Sequence, residues 1–151
     1  MEIYRDFKEL FESFNAAKVE YVVVGGYALA HHGAPRDTRD IDLYIRPTKE
    51  NSERIMAALN MFGFRTEELN AKDFQREGTF AQIGYPPVRV NLITSIAGVT
   101  WEQADAGKVT GNYGGEPVPF IGREEFIASK KAAGRRQDLA DVERLVGPEN
   151  M

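Results

Sequence analysis

The hydrophobic pattern alternates between two periods along the chain, and the changes mark its elements. From residue 3 to 17, Ile3, Phe7, Leu10, Phe11 and Phe14 recur at helical spacing with charges between them, so an amphipathic opening helix is expected. Tyr21 to Val24 is a continuous apolar, β-branched run that reads as a buried strand, ended by Gly25-Gly26. The next segment, YALAHHG, carries helix formers and stops at Gly33, with Pro35 beyond. From Asp40 to Arg46 the period falls to two, so that Ile41, Leu43 and Ile45 share one strand face. Pro47-Thr48 then opens a helix over 49–62, with Ile55, Met56, Leu59 and Phe62 as its apolar stripe and Gly63 as its stop.

Farther along, 64–69 reads as a short strand and 71–77 as one or two helical turns. Thr79–Ile83 and Val88–Thr94 read as strands joined across GYPP. TWEQADAGK is a short helix, and Val109–Tyr113 with Pro117–Ile121 makes a second hairpin around Gly114-Gly115. Two closing helices, 123–133 and 136–146, are split at Gly134. With no repeat and no linker, the expectation is a single α+β domain over 1–151: a short mixed β-sheet flanked by helices.

Composition narrows the function classes. The 151 residues are 42% hydrophobic and 28% charged, ordinary values for a folded soluble protein. A net charge of −4 argues against a general nucleic-acid coat, though not against a local basic cleft. The absence of cysteine excludes disulfides, thiolate catalysis and cysteine-ligated zinc, and two adjacent histidines leave no zinc site of several His ligands. The N-terminus is charged and periodic, unlike a signal peptide, and no apolar run reaches membrane-spanning length. A cytoplasmic protein without a membrane partner is therefore expected.

Chemistry concentrates in residues 21–45. A strand entering a helix through Gly25-Gly26 leaves backbone N–H groups that an anion can approach without meeting a Cβ. The same pair also serves as a tight turn needing glycine conformations. Asp40 and Asp42 stand two apart on a strand and project from one face, where their carboxylates repel unless water or a cation lies between them. Two hard oxygen ligands suit Mg²⁺ or Mn²⁺, while an exposed polar face or an ion pair with Arg36 or Arg39 is the plainer alternative.

The pattern of an apolar residue, Gly-Gly, thirteen residues and Asp-apolar-Asp-apolar, here VGG, YALAHHGAPRDTR and DIDL, resembles the signature of the DNA polymerase β-like nucleotidyltransferase superfamily. More narrowly, GGYALAHHGAPRDTRDIDLYI and the later FIASKKAAGRRQDLADVERL resemble small nucleotidyltransferases related to the AbiE-type toxins. The resemblance implies transfer of a nucleoside monophosphate from an NTP to an RNA or protein hydroxyl, in a toxin–antitoxin or phage-defence setting with a toxin or antitoxin partner. It implies that Gly25 and Gly26 hold the triphosphate and that Asp40 and Asp42 bind the metal. It makes Lys130 the family lysine reaching the triphosphate, while Arg36 is placed either to reach a phosphate or to pair with Asp37 or Asp40.

Other polar residues read as structural. Thr38 is expected to bond nearby backbone, His31 and His32 to serve a helix C-terminus and packing, and Trp101 and Phe126 to be core. Asp138 and Asp141 are expected to hold Arg135 or Lys130.

One position departs from the resemblance. The superfamily carries a third carboxylate on a later strand, where this chain has Arg89-Val90-Asn91-Leu92. With Val90 and Leu92 facing the core, Asn91 points toward the third-acid place. Its amide keeps a carbonyl oxygen for a metal but has no charge and cannot act as a base. Glu68, Asp73 and Glu77 are the candidate replacements. A nucleotide-binding module that transfers weakly and acts through a partner is the alternative function.

Overall fold

The computed structural model describes residues 3–64, 69–85 and 88–151. Its elements run α1 (Arg5–Ala16), β1 (Tyr21–Val24), α2 (Gly25–His31), β2 (Asp40–Ile45), α3 (Lys49–Phe62), β3 (Phe80–Tyr85), β4 (Val88–Ile93), α4 (Trp101–Gly107), β5 (Val109–Tyr113), β6 (Glu116–Phe120), α5 (Arg123–Ala133) and α6 (Arg136–Val146). A 3-10 helix over Ala71–Gln75 accounts for the helical turns expected there. The strand expected over 64–69 falls on residues 65–68, outside the described set, and Phe64 and Leu69 at its ends are not in a strand. The mixed sheet flanked by helices is as the hydrophobic pattern implied.

The six strands are ordered β3-β4-β2-β1-β6-β5. Within that order β1 and β2 are antiparallel, β2 and β4 parallel, β3 and β4 antiparallel, and β1 and β6 parallel. Residues in register across paired strands point to the same side, which divides the sheet into two faces. On one, Tyr21, Val23, Ile41, Leu43, Ile45, Val90 and Leu92 form a core with the aromatic stripe of α1. Phe11 stacks on Tyr21 with centroids 6.1 Å apart, and Phe14 meets the same ring edge-on at 5.5 Å. Phe7, Leu10, Phe11 and Phe14 are fully buried as expected, but Ile3 is exposed because α1 begins only at Arg5. The second face carries Asp40, Asp42, Tyr44, Asn91 and Ile93. There Tyr44 packs edge-on against Trp101 of α4 at 5.3 Å.

Helix α3 is started and stopped by local chemistry. The Thr48 side chain accepts from the Asn51 N–H, and Gly63 ends the helix at φ 90°, a left-handed conformation that favours glycine. Asn51 also does more distant work. Fully buried, it accepts from the Glu20 N–H at 2.7 Å and donates to the Glu20 and Arg46 carbonyls, both at 2.9 Å. One amide thus ties the entrance of β1 to the exit of β2 and holds the two central strands in register. Asn51→Ala removes a partner from three half-buried backbone groups, of which the Glu20 carbonyl still accepts from the Arg46 N–H. The expected loss is about 3 kcal/mol of unfolding free energy, seen as a lower urea midpoint with an unchanged denaturant slope.

Candidate functional site

Register builds the site. Val24 on β1 pairs with Asp42 on β2, Asp42 with Asn91 on β4, and Asn91 with Gln82 on β3. These four residues form one row across the second face, and Asp40 and Arg89 form the neighbouring row. Period-two alternation had already put Asp40 and Asp42 on a common face. The strand order adds Asn91, Gln82 and Arg89 to it.

Asp42 lies against the Gly25 turn. A Cβ placed on Gly25 would be 2.1 Å from Asp42 Oδ2, and Gly25 has φ +68°. A side chain is thus excluded by both space and backbone conformation. At Gly26 a Cβ would lie 2.7 Å from Thr38 Oγ1. The Thr38 hydroxyl donates to the Asp40 carbonyl at 3.4 Å, the local backbone role expected of it. No side chain caps the start of α2, whose first residue, Gly25, lies against Asp42.

Asn91 is buried and occupies the third position beside the carboxylates. Its Nδ2 donates to Asp42 Oδ1 at 2.7 Å and to Asp40 Oδ2 at 3.2 Å, while its Oδ1 accepts from Gln82 Nε2 at 2.9 Å. Asn91 thus lies beside Asp40 and Asp42 as its place on β4 implied, with its nitrogen toward them and its oxygen toward Gln82. Two ionised carboxylates accept but do not donate, so the amide turns its N–H groups toward them. Of the alternative acids, Asp73 is bonded to Arg76 at 2.7 Å, and neither it nor Glu77 lines the cavities at Asp42. Glu68 lies outside the described residues.

The cations are distributed differently from the sequence expectation. Asp40 pairs with Arg89 at 3.1 Å, not with Arg36 or Arg39. Arg36 makes a two-pronged contact with Asp141, at 2.8 and 3.2 Å, and reaches only the backbone carbonyl of Asp37. Asp141 lies 105 residues away in sequence, a pairing that local reading could not reach. Lys130 lies 3.3 Å from both Asp138 and Asp141 and sits over the Phe126 ring at 5.5 Å. Asp138 also accepts from Arg135, at 2.7 Å from Nε and 3.1 Å from the backbone N–H. The two acids thus position Lys130, Arg36 and Arg135. His31 stacks on Phe120 at 4.2 Å, His32 Nε2 is 2.7 Å from the Ile121 carbonyl, and Trp101 and Phe126 are buried.

Two cavities meet at Asp42. One, of about 250 Å³, is lined by Gly25, Asp42, Phe126, Lys130 and the apolar Val24 and Ile93. The other, of about 380 Å³, is open and polar, lined by Gly26, Arg36, Thr38, Arg39, Asp40 and Asn91. The site residues singled out from sequence therefore line one or other of these two cavities, and Arg89 and Gln82, which line neither, join them through hydrogen bonds to Asp40 and Asn91. Both additions lie on the Asn91 face, Arg89 two residues before it and Gln82 opposite it, so strand pairing was the missing signal.

The oxygen set fits a hard cation. Asp40 and Asp42 bring carboxylate oxygens around a common point, now bridged by an amide NH₂, and turning the Asn91 amide would add a neutral oxygen. Among the described residues no group of three or more His, Cys, Asp or Glu side chains forms a metal cluster.

A mixed sheet with a Gly-Gly turn packed against an Asp-x-Asp strand is the arrangement of the nucleotidyltransferase superfamily. The family described as aminoglycoside-2''-adenylyltransferase matches residues 6–145, and the chain belongs to that family. No match is found among curated proteins. Two solved structures share the fold. A protein of Thermotoga maritima, TM1012, described as a candidate nucleotidyltransferase, superposes with TM-score 0.65 at 16% identity, covering 93% of this chain and 89% of its own. The lincosamide antibiotic adenylyltransferase LnuA, bound to lincomycin, superposes with TM-score 0.55 at 13% identity, covering 96% of this chain and 98% of its own. Among the described residues no helix is long and apolar enough to cross a membrane.

The site's charges carry two predictions. Burial, then the Asp40 charge, raises the Asp42 pKa, although the Asn91 hydrogen bond, Lys130 and Arg36 work the other way. An ionised Asp42 therefore costs stability. In metal-free buffer at pH 7, Asp42→Asn is expected to raise the melting temperature, since the new amide oxygen still accepts from Asn91.

Asp138 and Asp141 behave oppositely. Burial pushes both pKa values up, but the hydrogen bonds from Arg135 and Arg36 and the Lys130 charge outweigh it, so both end below the usual carboxylate value. Their contribution is complete above the unfolded carboxylate pKa of about 3.9 and is lost as pH falls through the lowered folded values. Asp141→Asn should cost on the order of 3 kcal/mol at pH 7 by leaving Arg36 and Lys130 without it. Denaturation followed against pH should show that deficit shrinking below about pH 4.

Proposed function

We propose that the chain is a divalent-metal-dependent nucleotidyltransferase that moves a nucleoside monophosphate from an NTP to an acceptor hydroxyl. The observation that carries this reading is the meeting of two cavities at Asp42, one bordered by Gly25 and Lys130 and the other open beside Asp40. The narrower cavity takes the nucleotide, with its base on the apolar wall and its phosphates toward Gly25 and Lys130. The open cavity takes the acceptor.

In the reaction the acceptor hydroxyl oxygen forms a bond to the α-phosphorus and gives up its proton to solvent, the bond from that phosphorus to the bridging oxygen breaks, and pyrophosphate leaves. Asp40 and Asp42 are the residues that would hold Mg²⁺ or Mn²⁺, and such an ion would supply charge neutralisation at the reacting phosphate. Lys130 offsets charge on the departing pyrophosphate. The remaining contribution is alignment of the two substrates.

Family membership favours a small hydroxyl-bearing antibiotic as acceptor. The AbiE-type resemblance instead favours an RNA or protein hydroxyl and a toxin or antitoxin partner. A second function is supported by Asn91, which cannot take the acceptor's proton: a nucleotide-binding module that transfers weakly and acts through a partner.

Titration calorimetry with Mg-NTP, run beside labelled-NTP transfer to aminoglycosides, lincosamides, RNA and protein pools, separates these readings. Transfer to one pool identifies the acceptor class, and binding without transfer supports the module. Lys130→Ala is expected to weaken NTP binding by about one to two decades, the worth of a charged hydrogen bond of roughly 1.5–3 kcal/mol, and Lys131→Ala to leave it nearly unchanged. Asp40→Asn/Asp42→Asn should abolish the metal-dependent part of NTP binding. Equal NTP affinity in wild type and this double variant, with and without metal, would defeat the metal assignment.

A further inference from the structure

The amide of Asn91 shows its N–H groups to the two carboxylates, which accept from it, and Gln82 satisfies the oxygen on its other side. Gln82 Nε2 donates to Asn91 Oδ1 at 2.9 Å and lies 3.5 Å from Asp40 Oδ2, while Asn91 Nδ2 is shared between Asp42 and Asp40. Every contact in this row is satisfied only when both amides present nitrogen toward the carboxylate side. A cation between Asp40 and Asp42 inverts that preference, because it repels an N–H group and attracts a carbonyl oxygen.

We propose that Gln82 is a positioning residue that turns together with Asn91, so that the site exchanges an N–H facing the carboxylates for a carbonyl oxygen facing the metal. This rests on the metal reading above. The physical reason lies in the side chain at 82. A primary amide carries a donor and an acceptor on one planar group. If Asn91 rotates its Oδ1 toward the cation, its Nδ2 swings to where Oδ1 stood. Gln82 can then present Oε1 in place of Nε2, and the bond between the two residues is retained with its direction reversed. No other uncharged side chain of this length keeps the bond in both states. Asn91 is buried, so its amide would otherwise lack this partner in one state. An unpaired buried N–H is worse tolerated than an under-used carbonyl, so loss of Gln82 disfavours the metal-ready orientation more than the metal-free one.

Mn²⁺ alone is the probe, with affinity read from the free-ion EPR signal of wild type, Gln82→Met, Asn91→Asp and the double variant. Gln82→Met is expected to weaken Mn²⁺ binding on the order of fivefold, the worth of one hydrogen bond. In the Asn91→Asp background residue 91 has two oxygens and needs no turning, so the same change should not weaken binding. Asn91→Asp alone should bind Mn²⁺ more tightly than wild type. In ¹⁵N-labelled wild type, Mg²⁺ should shift the side-chain NH₂ resonances of Asn91 and Gln82 along a single titration curve.

Mn²⁺ binding that Gln82→Met leaves unchanged, or weakens equally in both backgrounds, overturns the role of Gln82 and leaves the metal reading standing. The same holds if the Asn91 resonances stay fixed while Mg²⁺ binds. If wild type binds no Mn²⁺, with or without NTP, both readings fall together.

Discussion

The close approach of Asp42 to Gly25 is the constraint on which the site depends. A carboxylate oxygen lies 2.1 Å from the point a Cβ would occupy, so the turn that ends β1 and the strand that carries the acids are fitted to one another. Val24 is the last residue of β1 and pairs with Asp42. A one-residue slip of β2 would turn Asp42 into the core and Leu43 out of it. The register is opposed to that slip from both ends, by Leu43 in the core on one side and by the Asn51 amide bridging Glu20 and Arg46 on the other. Burial of aliphatic side chains thus does the positioning that the carboxylates, which repel one another, cannot do for themselves.

A second layer of charge surrounds the first. Asp138 and Asp141 are nearly inaccessible, yet both hold their charge because Arg135, Arg36 and Lys130 converge on them. Lys130 is placed midway, 3.3 Å from each acid, longer than the usual 2.7–2.9 Å of a charge-assisted N–H···O bond. An ammonium shared at that distance is oriented without being consumed. It lines the cavity beside Gly25, where an incoming phosphate could take up a donor while the acids keep the stem in place. Arg36 is held more firmly, with two contacts to one carboxylate, and this makes it a wall of the open cavity rather than a free phosphate ligand.

What the sequence disclosed and what it hid follow from range. The period-two run at Asp40–Ile45, the glycine punctuation at Gly25-Gly26 and Gly63, and the Thr48 start of α3 are local signals, and the elements they imply are present. Val90 and Leu92 on the core face correctly sent Asn91 to the carboxylates. Partner choice was another matter. Whether Arg36 meets Asp37, Asp40 or Asp141 is decided by how α6 docks, and that is a property of the whole sheet. Gln82 and Arg89 escaped notice because neither belongs to a motif. They enter the site only through the pairing of β3 with β4 and of β4 with β2. The direction of the Asn91 amide is likewise set by its neighbours: Asp40 and Asp42 accept from its Nδ2, which leaves its oxygen to accept from Gln82.

That orientation also explains how a site built around two neighbouring acids tolerates having no cation. A third carboxylate at 91 would place three like charges on adjacent strands, with Arg89 bonded to Asp40, and like charges in such a cluster raise one another's pKa values. An asparagine there supplies two N–H donors to the same oxygens at no cost in charge, and Gln82 satisfies its remaining acceptor. Hydrogen bonds thereby offset part of the repulsion between the two acids, although burial still makes an ionised Asp42 costly. The exchange is unfavourable for chemistry, since the residue that calms the carboxylates is also the one that cannot take a proton. An enzyme with this site would need its acceptor's proton to leave by another route.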